Sequence, residues 1–438
     1  MTQLAKCTEE KEYPLPEEYN TLNTLQRTIV DSALNRENVL VCSSAGTGKS
    51  YVINVLKQIL GADLKLCATT GKAAVAISGR TVDSFIIELF RRKKNSPSLR
   101  IKWLVIDEVS MLEPTKLHHL NQLLQIGKKS TDLFGGVCIL LFGDFYQLPP
   151  VYIQGSNYIH HRIVSDDLLV KYINDTSRRT FLFETMFSTN LSFNHVFKKI
   201  ILTENLRQTD APEFKAFLDD LRVNVPNQST INWLDSNIKR TKVVDEDSIV
   251  LCATNTIRLK YNNSYLNNIP GESKLYMRTG TIKTTSEFDD FEGKVSAKVM
   301  VLKNMVVGRV PIVNGDLGII VSMTSDTVTI ELLSNKKLVV IPMTNAFSDD
   351  DKVSGTYMPL TLAYAMTVHK AQGLTITSPL VIDCQNFRLF EHGVLYTALS
   401  RCKHPSQISL MNMVKMNLQN EGSGLTNKVS AFIKSVTC

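Results

Sequence analysis

The chain has neither the long apolar segments of a membrane protein nor the paired cysteines of a disulfide-bonded or zinc-binding one. No run of about 18 apolar residues occurs, which argues against a membrane-spanning helix. The first ten residues are too polar for a signal peptide. The eight cysteines include no Cys-x-x-Cys pair, and several stand in apolar, strand-like runs. We therefore expect an intracellular protein with buried, reduced thiols.

The rest of the composition is that of an ordinary globular protein. The 438 residues are 43% hydrophobic and 21% charged, and their formal net charge is +7. A chain of this length is expected to form roughly two to four domains. It contains no internal repeat of solenoid period and no long low-complexity tract. Its modest positive charge permits a polyanionic partner without requiring one.

Segments with the character of strands and helices alternate along most of the chain. Apolar runs at 65–69, 103–107 and 137–143 are separated by helix-compatible segments, which indicates βαβ units and a parallel sheet. A second series of this kind begins near residue 202. Between about 273 and 354, short strand-like pieces separated by turns predict a small β-rich insert.

The strongest chemical signal lies in residues 39–50, which read Val-Leu-Val-Cys-Ser-Ser-Ala-Gly-Thr-Gly-Lys-Ser. An apolar strand-like run leads into a glycine-containing loop, and a helix-compatible run follows at once. This context predicts a phosphate-binding P-loop, because the loop amides and the helix N-terminus favour anions. Lys49 would reach the outer phosphates, and the Ser50 hydroxyl would coordinate Mg²⁺. The predicted nucleotide contacts are Ser44, Ala45, Gly46, Thr47, Gly48, Lys49 and Ser50.

Two further strand-like runs end in polar groups suited to such a site. Asp107 and Glu108 follow one run, and Gln147 follows the next. Because the carboxyl ends of parallel strands meet at one edge of a sheet, we expect these side chains to face the bound phosphates. Asp107 would help to hold Mg²⁺, Glu108 would deprotonate the attacking water, and Gln147 would sense the γ-phosphate. Taken singly, the acidic pair reads equally well as a helix cap, and the Gln147 segment as a rigid turn.

Seven short motifs follow one another in a fixed order along the chain. They occupy residues 44–50, 68–75, 106–111, 143–151, 202–208, 367–373 and 396–401. Their sequences and order resemble those of the Pif-type helicases, which belong to superfamily one in the branch that also holds RecD-like enzymes. The resemblance extends over roughly residues 22–411. Two positions depart from the family pattern, Ser43 in place of glycine and Asp83 in place of histidine.

The resemblance implies an α/β fold with two RecA-like P-loop domains that face each other across an ATP cleft. It also implies a small β-barrel insertion, similar to an SH3 fold, in the second domain. The expected divisions are an N-terminal lead-in at 1–20, a first domain at 21–200 with a small wedge-like insertion at about 86–101, a second domain at 201–272 and 356–438, and the SH3-like insertion at 273–355.

The resemblance also assigns nucleotide contacts outside the P-loop. Gln26 matches a glutamine that recognises adenine, and Gly373 lies in a nucleotide-contacting motif. Arg207 and Arg401 match two arginines that reach the phosphates from the second domain. Arginine suits this role because its planar guanidinium binds phosphate oxygens in a bidentate manner and stays charged. The plain alternative for each arginine is a surface salt bridge.

Predicted contacts to nucleic acid come from loops at the tips of both sheets. Hydroxyl and amide groups would bind phosphates, and the Phe85 ring would stack on a base. Burial of Phe85 in the core is an equal alternative. The candidate residues are Thr70, Lys72, Ser84, Phe85, Thr254, Asn255, His369 and Lys370. The basic residues at 91–94 fit a fork-facing wedge and a solvated loop equally well, and they also resemble a short nuclear-localisation patch.

These observations predict an ATP- and Mg²⁺-dependent DNA helicase that moves 5′-to-3′, a direction implied by the resemblance alone. The expected partners are single-stranded DNA and forked or tailed duplex DNA, with RNA left open. We expect no membrane partner, a monomer in solution, and an intracellular location where DNA is replicated. One alternative is a translocase that does not separate duplexes by itself. The other is a nucleic-acid-binding switch gated by nucleotide.

Overall fold

Two parallel sheets and one antiparallel sheet organise the chain. The computed structural model describes residues 13–44, 46–92, 97–150, 182–184, 186–188, 191–204, 210–224, 227–245, 247–280, 290–303, 305–308, 310–312, 315–347, 353–376, 378–385, 392–412 and 423–437. Within these ranges, none of the described helices is long and apolar enough to cross a bilayer.

The first α/β unit is built on a six-stranded parallel sheet in the order β3-β2-β4-β5-β1-β8. Its strands are β1 (Val39–Ser43), β2 (Leu64–Ala68), β3 (Arg80–Thr81), β4 (Trp103–Asp107), β5 (Cys138–Gly143) and β8 (Lys198–Leu202), with a separate hairpin of β6 (Met186–Ser188) and β7 (Leu191–Ser192). Its helices are α1 (Glu17–Thr21), α2 (Thr24–Leu34), α3 (Lys49–Leu60), α4 (Gly71–Ala76), α5 (Val82–Phe90), α6 (Pro114–Lys128) and α7 (Phe193–Val196). Every residue of β1, β4 and β5 is buried, as expected for central strands covered by helices on both faces.

The second α/β unit has a five-stranded parallel sheet in the order β22-β10-β23-β24-β9. Its first part contains α8 (Pro212–Val223), α9 (Gln228–Asn237), β9 (Lys239–Arg240), β10 (Ile249–Cys252) and α10 (Asn255–Asn268). An insert of antiparallel strands follows and contains β11 (Lys274–Tyr276), β12 (Phe291–Gly293), β13 (Lys298–Val301), β14 (Met305–Val307), β15 (Val310–Ile312), β16 (Leu317–Met323), β17 (Thr327–Leu332), β18 (Leu338–Pro342), β19 (Thr344–Phe347), β20 (Val353–Tyr357) and β21 (Leu360–Leu362). The unit ends with β22 (Ala365–Thr367), α11 (Val368–Ala371), β23 (Leu380–Asp383), α12 (Val394–Leu399), β24 (Ile408–Met411) and α13 (Ser423–Thr437).

The insert has its own core and its own sheet, in the order β18-β17-β16-β13-β21. Along β17 and β18 every second residue is buried, the pattern of an antiparallel sheet with one face on a core. The sheet continues to β21 and so ends beyond the predicted limit of residue 355. Its likeness to an SH3 barrel stays a prediction.

The region predicted as a wedge-like insertion at 86–101 needs a correction. Residues 86–90 are the last turns of α5, and Ile86 and Leu89 are buried in the main core. Leu99 is buried in the same core. Arg91 and Arg92 are described and follow the helix, whereas residues 93–96 lie outside the described ranges. Any wedge therefore begins after Phe90.

The cysteines are packed as small apolar side chains. Six of them are described, and all six are buried free thiols. Burial raises the pKa of each to about 12, so they stay protonated and unreactive near neutral pH.

Candidate active site

A cavity of about 370 Å³ lies where β1, β4 and β5 of the first sheet end. Both α/β units line it. Its lining consists of Gly46, Thr47, Gly48, Lys49, Ser50, Ala73, Ala76, Asp107, Glu108 and Gln147 from the first unit, and Gly373 and Arg401 from the second. The fold thus brings most of the predicted nucleotide residues together at the carboxyl edge of the first sheet.

The loop between β1 and α3 has the backbone shape of a phosphate-binding loop. Gly46 and Gly48 have left-handed φ angles of 85° and 80°, which favour glycine. A Cβ at Gly48 would lie 2.9 Å from Nε2 of Gln26, so a side chain there would displace the end of the Gln26 side chain. The Lys49 ammonium donates a hydrogen bond to the Ser44 carbonyl at 3.3 Å and is held over the loop. Ala45 lies outside the described residues.

Gln26 connects this loop to the start of α2. Its Oε1 accepts a hydrogen bond from the backbone amide of Asn23 at 3.0 Å. The backbone amide of Gln26 donates in return to Asn23 Oδ1 at 2.9 Å, and the two bonds form a capping box. The Gln26 Nε2 lies 3.5 Å from the Thr47 carbonyl. A second cavity of about 230 Å³ is lined by Asn23, Thr24, Leu25, Thr47, Leu202, Thr203 and Glu204. Thr47 lines both cavities, whereas Gln26, which contacts Thr47, lines neither.

The acidic pair at the end of β4 is buried. Asp107 and Glu108 are only 5% and 9% exposed. Burial, and then the negative charge of Glu108, raises the pKa of Asp107 to about 7, against the opposing effects of Lys49 and of the Glu108 amide. Two carboxyl groups in a pocket of low polarity favour a bound cation, since a cation stabilises the ionised form of both.

Gln372 is a site residue that reasoning from single motif residues missed. It follows α11 in the second unit and is 1% exposed. Its Nε2 donates to Ser110 Oγ at 3.0 Å and lies 3.4 Å from Glu108 Oε2. Gly373 follows it, and a Cβ there would lie 3.9 Å from Glu108 Oε1. The only signal in the sequence was its place within the motif at 367–373.

Arg401 enters the cavity from the second unit although it is 352 positions (401 − 49) from Lys49. The side chain is 2% exposed. Its Nε donates to the Thr397 carbonyl at 2.8 Å, and its two terminal nitrogens donate to the Leu374 carbonyl at 3.2 Å and to Ser400 Oγ at 2.8 Å. These bonds hold the guanidinium in one orientation. Arg207 lies outside the described residues.

Known proteins with a similar sequence and a similar fold are DNA helicases by name. A family model described as an AAA domain matches residues 26–153. The ATP-dependent DNA helicase PIF1 of Xenopus laevis is 28% identical over 433 residues, which cover 89% of this chain and 61% of that protein. A solved structure of two coordinating Pif1 helicases at forked dsDNA has a TM-score of 0.76 and 26% identity, and covers 94% of this chain and 98% of its own. Pif1 helicase from Bacteroides in complex with ADP-AlF3 and ssDNA has a TM-score of 0.72 and 26% identity, with 97% and 98% covered.

The chain is thus similar to Pif1 helicases over nearly its whole length, as the order of its motifs predicts. Its two α/β units are RecA-like domains, and the predicted fold class is confirmed. The chain spans about three-fifths of the length of the Xenopus laevis relative, 61%.

Most of the candidate nucleic-acid residues that the structure describes lie at the surface. In the first domain, Thr70 is half-buried and caps the first turn of α4 by accepting from the Ala73 amide at 3.2 Å, and Ser84 is exposed on α5. In the second domain, Thr254, Asn255 and His369 are exposed and Lys370 is half-buried. They follow β10 and β22, which are neighbouring parallel strands, so these four residues share one edge of the second sheet. The side chain of Lys72 lies outside the described residues.

The prediction that the Phe85 ring stacks on a base is wrong for this structure. Phe85 is 2% exposed and belongs to the main core, with Val82, Ile86 and Leu89 on the same face of α5. The Lys65 ammonium lies 5.0 Å from the ring centroid. Both faces of the ring are therefore enclosed, and its contribution is to packing.

Proposed function

We propose that this protein is an ATP-dependent DNA helicase that translocates 5′-to-3′ on single-stranded DNA and unwinds duplex DNA. The observation that carries the proposal is that Lys49, Glu108 and Arg401 line one cavity between two RecA-like domains. A switch that only binds nucleotide has no need for a buried base and an arginine supplied by the facing domain. The names of the relatives support DNA as the substrate, because those proteins are DNA helicases known with ssDNA and forked dsDNA.

Each lining residue has a role in ATP hydrolysis under this proposal. The loop amides and Lys49 hold the outer phosphates, and Glu108 accepts a proton from the attacking water. Gln147, whose Oε1 has no hydrogen-bond partner among the described residues, is free to orient that water. Arg401 and Arg207 neutralise charge on the γ-phosphoryl group. The Ser50 hydroxyl and Asp107 would hold Mg²⁺, which supplies positive charge to the phosphate oxygens when bound.

Hydrolysis would be coupled to movement through closure of the two domains. ATP contacts both domains and therefore favours the closed arrangement, and hydrolysis removes that preference. Candidate DNA contacts lie on both domains, at Thr70 and Ser84 in the first and at Thr254, Asn255 and His369 in the second. Alternating grip by the two sets would give stepping along a strand. DNA as substrate would place the protein in the compartment that holds DNA, and we expect a monomer in solution.

The test is a strand-displacement assay with ATP on 5′-tailed and 3′-tailed duplexes of identical sequence. The proposal expects displacement of the 5′-tailed duplex only. ATP hydrolysis stimulated by single-stranded DNA without displacement would favour the translocase, and binding without hydrolysis would favour the switch. A matched substrate whose single-stranded tail is RNA shows whether the protein tolerates 2′-hydroxyl groups on the strand that it binds.

Glu108→Gln is expected to lower ATP hydrolysis by about 10²–10⁴-fold, the usual contribution of a general base. Glutamine keeps the size of the side chain and leaves Asp107 in place, so ATP should bind with near-normal affinity. Steady-state hydrolysis and binding of a fluorescent ATP analogue measure the two effects separately. Glu113→Gln is the control, since Glu113 does not line the cavity. A collapse of affinity in Glu108→Gln would show that Glu108 is structural.

Replacing residues 91–94 by alanine tests whether this basic cluster forms a wedge. The wedge hypothesis expects slower duplex separation with DNA-stimulated ATP hydrolysis retained, because Arg91 and Arg92, the described part of the cluster, do not line the nucleotide cavity. Alanine at Lys336 and Lys337, an exposed basic pair on the insert, is the control. Equal unwinding by the variant and the wild type at several salt concentrations would favour a solvated loop.

A further inference from the structure

Asp144, which follows β5 in the first domain, is bound by two residues of the second domain. Its carboxylate is fully buried. Nε of Arg222 on α8 donates to Oδ1 and Oδ2 at 3.0 and 3.2 Å, and Nη2 lies 3.0 Å from Oδ1. The Tyr396 hydroxyl on α12 donates to Oδ2 at 2.9 Å. Asp144 belongs to the motif at 143–151 but does not line the ATP cavity.

The backbone around Asp144 is also held by the second domain. The backbone amide of Gln147 donates a hydrogen bond to the backbone carbonyl of Asp144 at 2.9 Å, so the two residues form one tight turn. His392 Nε2 lies 2.8 Å from the Phe145 carbonyl oxygen. Gly393 packs so closely that a Cβ there would lie 2.5 Å from the Gln147 carbonyl carbon and oxygen. The second domain therefore fixes the position of a residue that lines the ATP cavity.

The segment that supplies Tyr396 also supplies Arg401. Tyr396 lies within α12, and Arg401 follows it two positions after the helix ends. The bond from Arg401 Nε to the Thr397 carbonyl ties the arginine back to the helix. A shift of Tyr396 against Asp144 would therefore move Arg401 against Gln147.

The Asp144 contacts exist only while the two domains are packed together as they are in this structure. In this arrangement a buried carboxylate has a guanidinium and a phenol as partners, and removing one partner leaves charge in a medium of low polarity. If the domains separate, water solvates the same groups. The three side chains thus stabilise one specific relative position of the two domains.

We propose that Asp144, Arg222 and Tyr396 form an interdomain latch that aligns Gln147 with Arg401. This inference rests on the proposed function, in which Gln147 and Arg401 act on ATP. The three latch residues are positioning residues, since they act through the two cavity-lining side chains.

Tyr396→Phe tests the latch by removing one hydroxyl group. The matched control is Tyr261→Phe, because the Tyr261 hydroxyl donates to Asp383 Oδ2 at 2.7 Å entirely within the second domain. With saturating single-stranded DNA, Tyr396→Phe should lower kcat about 10-fold, the scale of one hydrogen bond to a charged group. The KM for ATP should rise as well, because ATP favours the closed arrangement that the latch stabilises. The control should keep wild-type kcat and KM.

Arg222 gives the rescue experiment. Arg222→Gln should impair kcat more than Arg222→Lys, because lysine keeps the charge opposite Asp144 but loses the fork geometry. Combining Tyr396→Phe with Asp144→Asn should cost less than the sum of the single changes, since both act on one bond. Additive effects, a wild-type kcat in Tyr396→Phe, or an equal loss in Tyr261→Phe would overturn the latch.

Small-angle scattering tests the latch without relying on activity. Tyr396→Phe and Arg222→Gln should have a larger radius of gyration than the wild type and Tyr261→Phe, with and without a non-hydrolysable ATP analogue. Identical values for all four proteins would overturn the proposal. If the wild-type protein fails to displace DNA, the proposed function is contradicted. A larger radius of gyration in the two variants would still support the latch in that case.

Discussion

Replacing Arg401 with alanine is expected to lower DNA-stimulated ATP hydrolysis by on the order of 10³–10⁵-fold, the usual cost of losing an arginine finger. The guanidinium is 2% exposed and is pre-oriented by bonds to Thr397, Ser400 and Leu374. It therefore meets the developing γ-phosphoryl charge without reorganisation, in a site where water screens little. Single-turnover hydrolysis with saturating single-stranded DNA measures the effect on chemistry.

Two variants separate the chemical role of Arg401 from a role in packing. Arg401→Lys keeps the charge but not the planar fork, so it should remain strongly impaired. Arg240→Ala removes an arginine of the same domain that pairs with Asp235 and does not line the cavity, and it should hydrolyse ATP normally. Thermal unfolding of each variant shows whether the fold is intact. Full stimulated hydrolysis by a folded Arg401→Ala protein would remove Arg401 from the site.

Lys49→Ala is expected to abolish ATP turnover. No other lysine or arginine of the first domain lines the cavity among the described residues, so nothing there replaces the charge on the outer phosphates. Single-stranded DNA binding should persist, because the candidate DNA contacts lie on other loops. Fluorescence anisotropy with labelled DNA and a phosphate-release assay measure the two outcomes.

Lys57→Ala is the matched control for Lys49→Ala, since Lys57 is an exposed lysine of the same helix, α3. It should hydrolyse ATP at the wild-type rate. Wild-type turnover by Lys49→Ala would contradict the P-loop assignment, and loss of DNA binding in that variant alone would show that the two functions share residues.

The parts of the site that depend on neighbouring residues could be predicted from the sequence. A strand, two left-handed glycines and a helix N-terminus lie within the single segment that forms the loop around Lys49. Arg401 and Gln26 required the family resemblance, because their places depend on contacts far along the chain. Gln372 was missed for the same reason, since it meets Glu108 across 264 positions.

For Phe85 the sequence left two roles open, a core residue and a ring that stacks on a base, and the local pattern favoured the core. Val82, Phe85, Ile86 and Leu89 repeat at the spacing of one helical face, which predicts burial. Their burial in the core confirms the pattern. Where the structure departs from the resemblance, the apolar spacing of α5 is the better guide.

Gly393 leaves no room for a side chain where the second domain meets the Gln147 carbonyl. Its φ of 72° disfavours a side chain, and a single added methyl group would overlap the Gln147 carbonyl. In a Gly393→Ala variant, the added methyl group would hold the two domains slightly apart. Each domain should still fold, but the domains should not close fully, so a substitution outside the phosphate-binding residues should lower the rate of ATP hydrolysis.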